Sequence, residues 1–119
     1  MAYDRNNIFA MILRGEIPCD KVYEDDYALS FKDINPQAPV HVLVIPKGEY
    51  ISMADFSANA PDELVTGFLR AVGETARILG LEEDGYRIIA NTGDNAHQEV
   101  PHLHYHILSG KKLGPMLSR

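Results

Sequence analysis

The chain of 119 residues contains a single cysteine, Cys19, and no tryptophan. A lone cysteine permits no intrachain disulfide, which excludes both a secreted disulfide scaffold and a cysteine-rich zinc module. No apolar run approaches the roughly 20 residues that a membrane helix requires. The opening MAYDRNNIFAMILRGE lacks the charged segment, apolar stretch and small-residue cleavage site of a signal peptide, so the expected address is cytoplasmic, with no membrane partner. Positive charge is also scarce, with 11 Lys and Arg against 17 Asp and Glu and a net charge of −6. The basic residues are scattered apart from Lys111 and Lys112, which argues against a nucleic-acid partner. A small anionic ligand stays compatible, because backbone amides and imidazoles bind phosphate inside an acidic protein.

What is present suits an ordinary globular domain. Hydrophobic residues make up 45% and charged residues 24%, enough for one packed core without staples. No internal repeat, low-complexity stretch or linker divides the chain, so residues 1–119 read as one domain with a short tail over about 111–119.

The spacing of Ile8, Phe9, Met11 and Ile12 predicts a short helix ending before Gly15 and Pro18. Lys21 to Tyr23 and Ala28 to Lys32 read as a hairpin about Glu24-Asp25-Asp26. Asn35-Pro36-Gln37-Ala38-Pro39 is extended, and His41 to Pro46, rich in β-branched residues, is a buried strand. The longest helix should begin near Pro61, with Asp62 and Glu63 at the positive end of its dipole. Leu64, Val65, Phe68, Leu69, Val72, Ala76 and Leu79 form its apolar stripe, and Gly80 ends it. Tyr86 to Asn91 and Pro101 to Leu108 complete the strands, with a loop from Asn91 between them. Several strands with few helices predict an α+β fold on an antiparallel sheet.

The chemistry concentrates in His102-Leu-His104-Tyr-His106-Ile-Leu108. Strand alternation would put the three imidazoles on one face and Leu103, Tyr105 and Ile107 on the other. Of the five histidines, His41 opens the preceding strand and His97 lies in the adjoining loop, so all could converge. Three readings compete. The imidazoles could wet a solvated sheet face, hold a zinc ion with an open position, or provide a nucleophile whose neighbours fix its tautomer and bind charged oxygens.

The same run resembles the His-φ-His-φ-His-φ-φ signature of the histidine-triad superfamily, where φ is hydrophobic. Other segments resemble its Hint branch: Ile8-Phe9 with Ile12, Gly15-Glu-Ile-Pro18, Tyr23-Glu-Asp-Asp26, Phe31-Lys-Asp33-Ile-Asn-Pro-Gln-Ala-Pro39 and His41-Val-Leu-Val-Ile-Pro-Lys47. The resemblance covers Ile8 to Leu108. It implies a five-stranded antiparallel sheet with one long and one short helix, doubled in a homodimer to ten strands. It implies that His104 is a nucleophile forming a nucleotidyl-histidine intermediate, that His106 contacts phosphate oxygens, and that His102 and His41 form a hydrogen-bonded pair behind the site. Asp33 would hold the ribose hydroxyls; read without the resemblance, it is equally a turn-capping residue. Ile8, Phe9, Ile12, Phe31 and Ile34 would line a purine pocket, with Asn91 and Val100 near the phosphate.

Some positions depart from the family. Where many bacterial members carry zinc-binding cysteines in the short helix, this chain has Asn7 and Ala10, so no metal or other cofactor is expected. Glu99 and His97 replace a serine and a glycine, and Glu99 either binds the amine of an aminoacyl leaving group or faces solvent. The tail from Lys111 to Arg119 lacks the tryptophan of some members. The resemblance implies a metal-independent purine nucleoside phosphoramidase acting on phosphoramidates of AMP or GMP. The alternatives are a dinucleoside polyphosphate hydrolase, a nucleotidyl transferase, a nucleotide-binding regulatory protein with incidental hydrolysis, and a metal-dependent hydrolase.

Overall fold

Local signals start each element. The Asn7 side chain accepts the Ala10 N–H at 2.9 Å and caps helix α1 (Ile8–Leu13), which buries Phe9 and Ala10. Asp25 makes the hairpin turn, its Oδ1 accepting the N–H groups of Tyr27 and Ala28 at 2.8 and 2.9 Å between strands β1 (Lys21–Glu24) and β2 (Ala28–Lys32). Strand β3 (Val40–Pro46) follows the proline-bounded segment. In the computed structural model, which describes residues 2–117, these join β4 (Arg87–Ile89) and β5 (Tyr105–Ser109) in one antiparallel sheet of order β1-β2-β3-β5-β4. The expected α+β class and five-stranded sheet are therefore present.

Two helices cross over between β3 and β4. The first, α2 (Met53–Asn59), is absent from the sequence reading, yet its start is written in Ser52-x-x-Asp55. Ser52 accepts the Asp55 N–H at 3.2 Å, and Asp55 in return accepts the Ile51 N–H at 2.9 Å, a capping box displaced by one residue. The second, α3 (Asp62–Ile78), starts one residue after Pro61, which keeps extended backbone at the cap. Its last turn passes to Gly80 at φ +71°, the left-handed conformation that glycine adopts without strain. The buried side is Gly67, Phe68, Ala71, Val72, Thr75 and Ala76. Leu69 from the expected stripe is 52% exposed, because it lies one helical step, about 100°, beyond Phe68. Gly67 is required by packing: a Cβ there would sit 2.3 Å from the Tyr27 ring.

Alternation gives the sheet two unlike faces. Ala28, Val44 and Ile107 point to α3 and pack with Phe56, Phe68, Ala71, Val72 and Leu103. Leu29, Phe31, Leu43 and Ile45 point the other way, where only Phe9 of α1 and partly buried neighbours such as Ile12 and Val100 join them. Register places His41 and His106 on this second face, opposite Leu108 and Leu43.

The last two strands are shorter than their sequence patterns. β4 covers Arg87 to Ile89 rather than Tyr86 to Asn91. β5 begins at Tyr105 rather than Pro101, so His102 and His104 precede the ladder. Pro46 offers no N–H to extend that ladder, and the chain turns aside as the Leu103 N–H bonds the Tyr50 carbonyl at 2.8 Å. In the tail, Arg87 donates to the Gly114 carbonyl at 2.7 Å; Met1, Ser118 and Arg119 lie outside the described residues.

Candidate active site

Four of the histidines gather as two hydrogen-bonded pairs, His41 with His106 and His104 with His102, and their partners fix where each proton resides. The Gln37 N–H donates to His41 Nδ1 at 3.0 Å, so neutral His41 carries its proton on Nε2. That proton is donated to His106 Nδ1 at 2.9 Å, which leaves His106 with an N–H at Nε2. His104 Nδ1 lies 2.7 Å from the His102 carbonyl and must donate to it, which leaves Nε2 as a free lone pair. His102 Nε2 donates to the Pro46 carbonyl at 3.1 Å, so its Nδ1 accepts from the Tyr3 hydroxyl at 2.5 Å. The group thus offers an unprotonated nitrogen on His104 beside a donor on His106, with ring centroids 5.0 Å apart.

Two of these findings change the sequence reading. His41 pairs with His106, not with His102, because His102 is drawn back under Pro46 and capped by Tyr3. Tyr3 itself was not singled out, since a lone tyrosine near the N-terminus carries no local signal that it meets a histidine 99 positions away.

Burial keeps the group neutral. It pushes His102, which is 0% exposed, and His106 down to about 4, the neighbouring imidazoles adding to the shift. His104 and His41 also fall below the ordinary histidine value, again chiefly by burial, against the opposing charge of Asp33. At neutral pH His104 Nε2 is therefore available as a nucleophile. The edge of Phe9 packs against the His104 ring at a centroid distance of 4.9 Å and limits its rotation.

Asp33 caps its turn and also reaches the imidazoles. Its Oδ1 accepts the Asn35 N–H at 2.8 Å, while Oδ2 lies 3.4 Å from His41 Nε2. Phe9, Phe31, Ile12 and Val100 gather in one apolar cluster beside the imidazoles. Ile34, at 85% exposure, and Ile8 project outside that cluster. Asn91 is half-buried two residues past β4, with no side-chain hydrogen bond among the described residues. Glu99 is exposed and accepts a hydrogen bond from His97 at 2.9 Å.

Asp33, His41 and His106 bring three potential ligand atoms within 4.8 Å of one another. The donor set is nonetheless poorly suited to a cation. Freeing His41 Nε2 for a metal would move its proton to Nδ1, directly against the Gln37 N–H. At the short helix, Asn7 and Ala10 are occupied by capping and packing.

Comparison with known proteins bears on this arrangement. The model of the HIT domain matches residues 14–113. The chain belongs to the HIT family. A 13.2 kDa HIT-like protein of Azospirillum brasilense, described as uncharacterized, is 61% identical over 98% of this chain and 96% of its own length. A purine nucleoside phosphoramidase of Escherichia coli K12 is 44% identical over 93% of this chain and 92% of its own. Among solved structures, a histidine triad protein from Clostridium difficile superposes with a TM-score of 0.83 and 44% identity, covering 96% of this chain and 98% of that one. The HIT signature accordingly spans the segment from which all four paired imidazoles come.

Proposed function

We propose that this HIT protein is a metal-independent purine nucleoside phosphoramidase that hydrolyses the P–N bond joining AMP or GMP to an amine. The observation that carries this reading is the tautomer pattern, a lone pair on His104 Nε2 beside a donor on His106 Nε2. The E. coli phosphoramidase relative, alike over nearly its whole length, supports the choice of reaction. His104 Nε2 attacks the α-phosphorus and forms a P–N bond as the bond to the amine breaks. The amine leaves with a proton taken from solvent at the open side of the site. Water then attacks the phosphorus, the bond to His104 breaks, and the nucleoside monophosphate is released. His106 Nε2–H stabilises charge on a non-bridging oxygen, and the Nδ1 bond of His104 to the His102 carbonyl steadies the ring while it carries the nucleotide. Asp33 holds the ribose, and Phe9, Phe31, Ile12 and Val100 form the floor under the purine.

The reading also includes a cytoplasmic homodimer with a continuous ten-stranded sheet. Its support is β4, a three-residue edge strand with Ile88 and the preceding Tyr86 exposed. No helix is long and apolar enough to cross a membrane among the described residues.

Steady-state hydrolysis of adenosine 5′-phosphoramidate by wild type and His104→Ala, with and without EDTA, tests the reaction. Turnover insensitive to chelator and abolished in the variant supports it. Loss with EDTA identifies a metal site instead, and no turnover in any sample redirects the substrate to dinucleotides or to binding alone.

A further inference from the structure

Residues 2–7, ahead of α1, form a strap that is tied to the fold at points away from the histidines. Asp4 turns the chain: its carbonyl accepts the Asn7 N–H at 3.2 Å and Asn7 Nδ2 at 2.7 Å, and its Oδ1 accepts the Asn6 N–H at 2.9 Å. Arg14 Nη1 donates to the Arg5 carbonyl at 2.8 Å, and Arg5 pairs with Glu49 at 3.0 Å. Ala2, Asp4, Arg5 and Asn6 are exposed, whereas Tyr3 turns inward, its ring edge-on to that of His102 at a centroid distance of 5.7 Å. The strap is thus fastened without help from the Tyr3 hydroxyl, which points instead to His102 Nδ1.

His102 is completely buried, so both of its ring nitrogens need partners. Nε2 donates to the Pro46 carbonyl, and among the described residues Tyr3 is the one donor to Nδ1. Burial raises the Tyr3 hydroxyl above the ordinary tyrosine value, against the opposing Asn7 side chain, so the phenol keeps its proton at neutral pH and donates it. The backbone is pinned at the same place, where the His102 N–H bonds the Val100 carbonyl and the Leu103 N–H bonds the Tyr50 carbonyl, each at 2.8 Å. Ring and backbone together aim the His102 carbonyl at His104 Nδ1, 2.7 Å away. That carbonyl holds the His104 proton on Nδ1 and leaves Nε2 bare. Without a donor at its own Nδ1, His102 would keep a buried lone pair unpaired or adopt the other tautomer, which sets a lone pair against the Pro46 oxygen. Either state is relieved by tilting the ring, and the carbonyl moves with it.

We propose that Tyr3 is a positioning residue for the nucleophile: its hydroxyl fixes the His102 ring, and the His102 carbonyl so held keeps His104 Nε2 unprotonated for attack. The effect on turnover rests on the phosphoramidase reading, whereas the effect on the His104 tautomer does not.

The test compares wild type, Tyr3→Phe and Arg5→Ala by steady-state hydrolysis of adenosine 5′-phosphoramidate and by long-range proton–nitrogen correlation NMR, which separates protonated from bare imidazole nitrogens. Tyr3→Phe removes the donor and keeps the ring; Arg5→Ala removes a strap contact and no hydrogen bond to a histidine. In wild type His102 carries its proton on Nε2 and His104 carries its proton on Nδ1. Tyr3→Phe lowers kcat roughly tenfold to a hundredfold with KM changed by less than about twofold, and the His104 proton becomes shared between both nitrogens. Arg5→Ala matches wild type in both measurements. An unchanged His104 tautomer in Tyr3→Phe overturns the proposal whatever happens to kcat. A loss of kcat in Arg5→Ala as large as that in Tyr3→Phe also overturns it, since any loosening of the strap would then suffice. A wild-type His102 protonated on Nδ1 overturns it without recourse to a variant. Absence of hydrolysis by wild type, with the tautomer shift present in Tyr3→Phe, overturns the phosphoramidase reading and supports the role of Tyr3.

Discussion

One face of the sheet is built to exclude water and the other to use it. Under α3, Ala28, Val44 and Ile107 meet a nearly closed layer of Phe56, Phe68, Ala71 and Val72, with Phe56 and Phe68 edge to face at a centroid distance of 5.4 Å. Across the same strands, one short helix contributes Phe9, and the remaining space beside Leu43 and Ile45 is given to imidazoles. Only one residue of phase separates the two environments: Val42 and Val44 belong to the dry face, His41 to the polar one. The dry face supplies hydrophobic stabilisation, and its rigidity lets the other hold imidazoles whose fully buried nitrogens are all hydrogen-bonded among the described residues, while the free Nε2 of His104 stays open to the site.

The largest expected effect lies on the polar face. His104→Ala should lower turnover of adenosine 5′-phosphoramidate by at least roughly 10⁴-fold while the melting temperature changes little. Next comes the dry face, where Phe56→Ala should cost about 3–5 kcal/mol in urea denaturation, with the kcat of the remaining folded protein nearly intact. If Phe56→Ala instead changed kcat at unchanged stability, the division between the faces would be broken.

A third effect comes from buried neutral imidazole. His102 has its proton affinity lowered to about 4 in the fold against 6.5 unfolded, so its contribution is complete above pH 6.5 and declines as pH falls towards 4. Over that interval His102 alone should remove about 3 kcal/mol from the unfolding free energy, with His106 adding to the loss. Urea denaturation across the interval reads this directly, and a flat profile would contradict the neutral state assigned to the group. Smaller still, Asp33→Asn should reduce kcat/KM roughly tenfold, mostly through KM, as the ribose loses a charged acceptor. The smallest effect is Thr75→Val, which removes a buried hydroxyl 3.0 Å from Ser30 Oγ on the dry face, at about 1 kcal/mol with activity unchanged.

Much of this architecture is legible in the chain. The alternation around His41 to Pro46, the stripe of α3 and the run from His102 to His106 each follow a period, and a period survives in sequence without knowledge of partners. The imidazoles do share one side of the sheet, although the ladder stops at Tyr105, because the proline that ends it lies in another strand. What escaped the sequence reading depends on non-local contact. Tyr3 meets His102 only after the N-terminal segment folds across the sheet, and His106 rather than His102 reaches His41 because β3 and β5 register them on the same side. Helix α2 is different, since Ser52 and Asp55 carried its cap in plain sight; its short run, with Phe56 alone fully buried, gives too little periodicity to stand out.

The central claim, that His104 Nε2 is the attacking atom, is tested most directly by mass spectrometry of protein acid-quenched or base-quenched within the first turnovers of adenosine 5′-phosphoramidate. The account predicts one adenylyl group, labile in acid and stable in base, on the peptide containing His104 and absent from His104→Ala. Rapid turnover with no adduct, or an adduct on another residue, would contradict it.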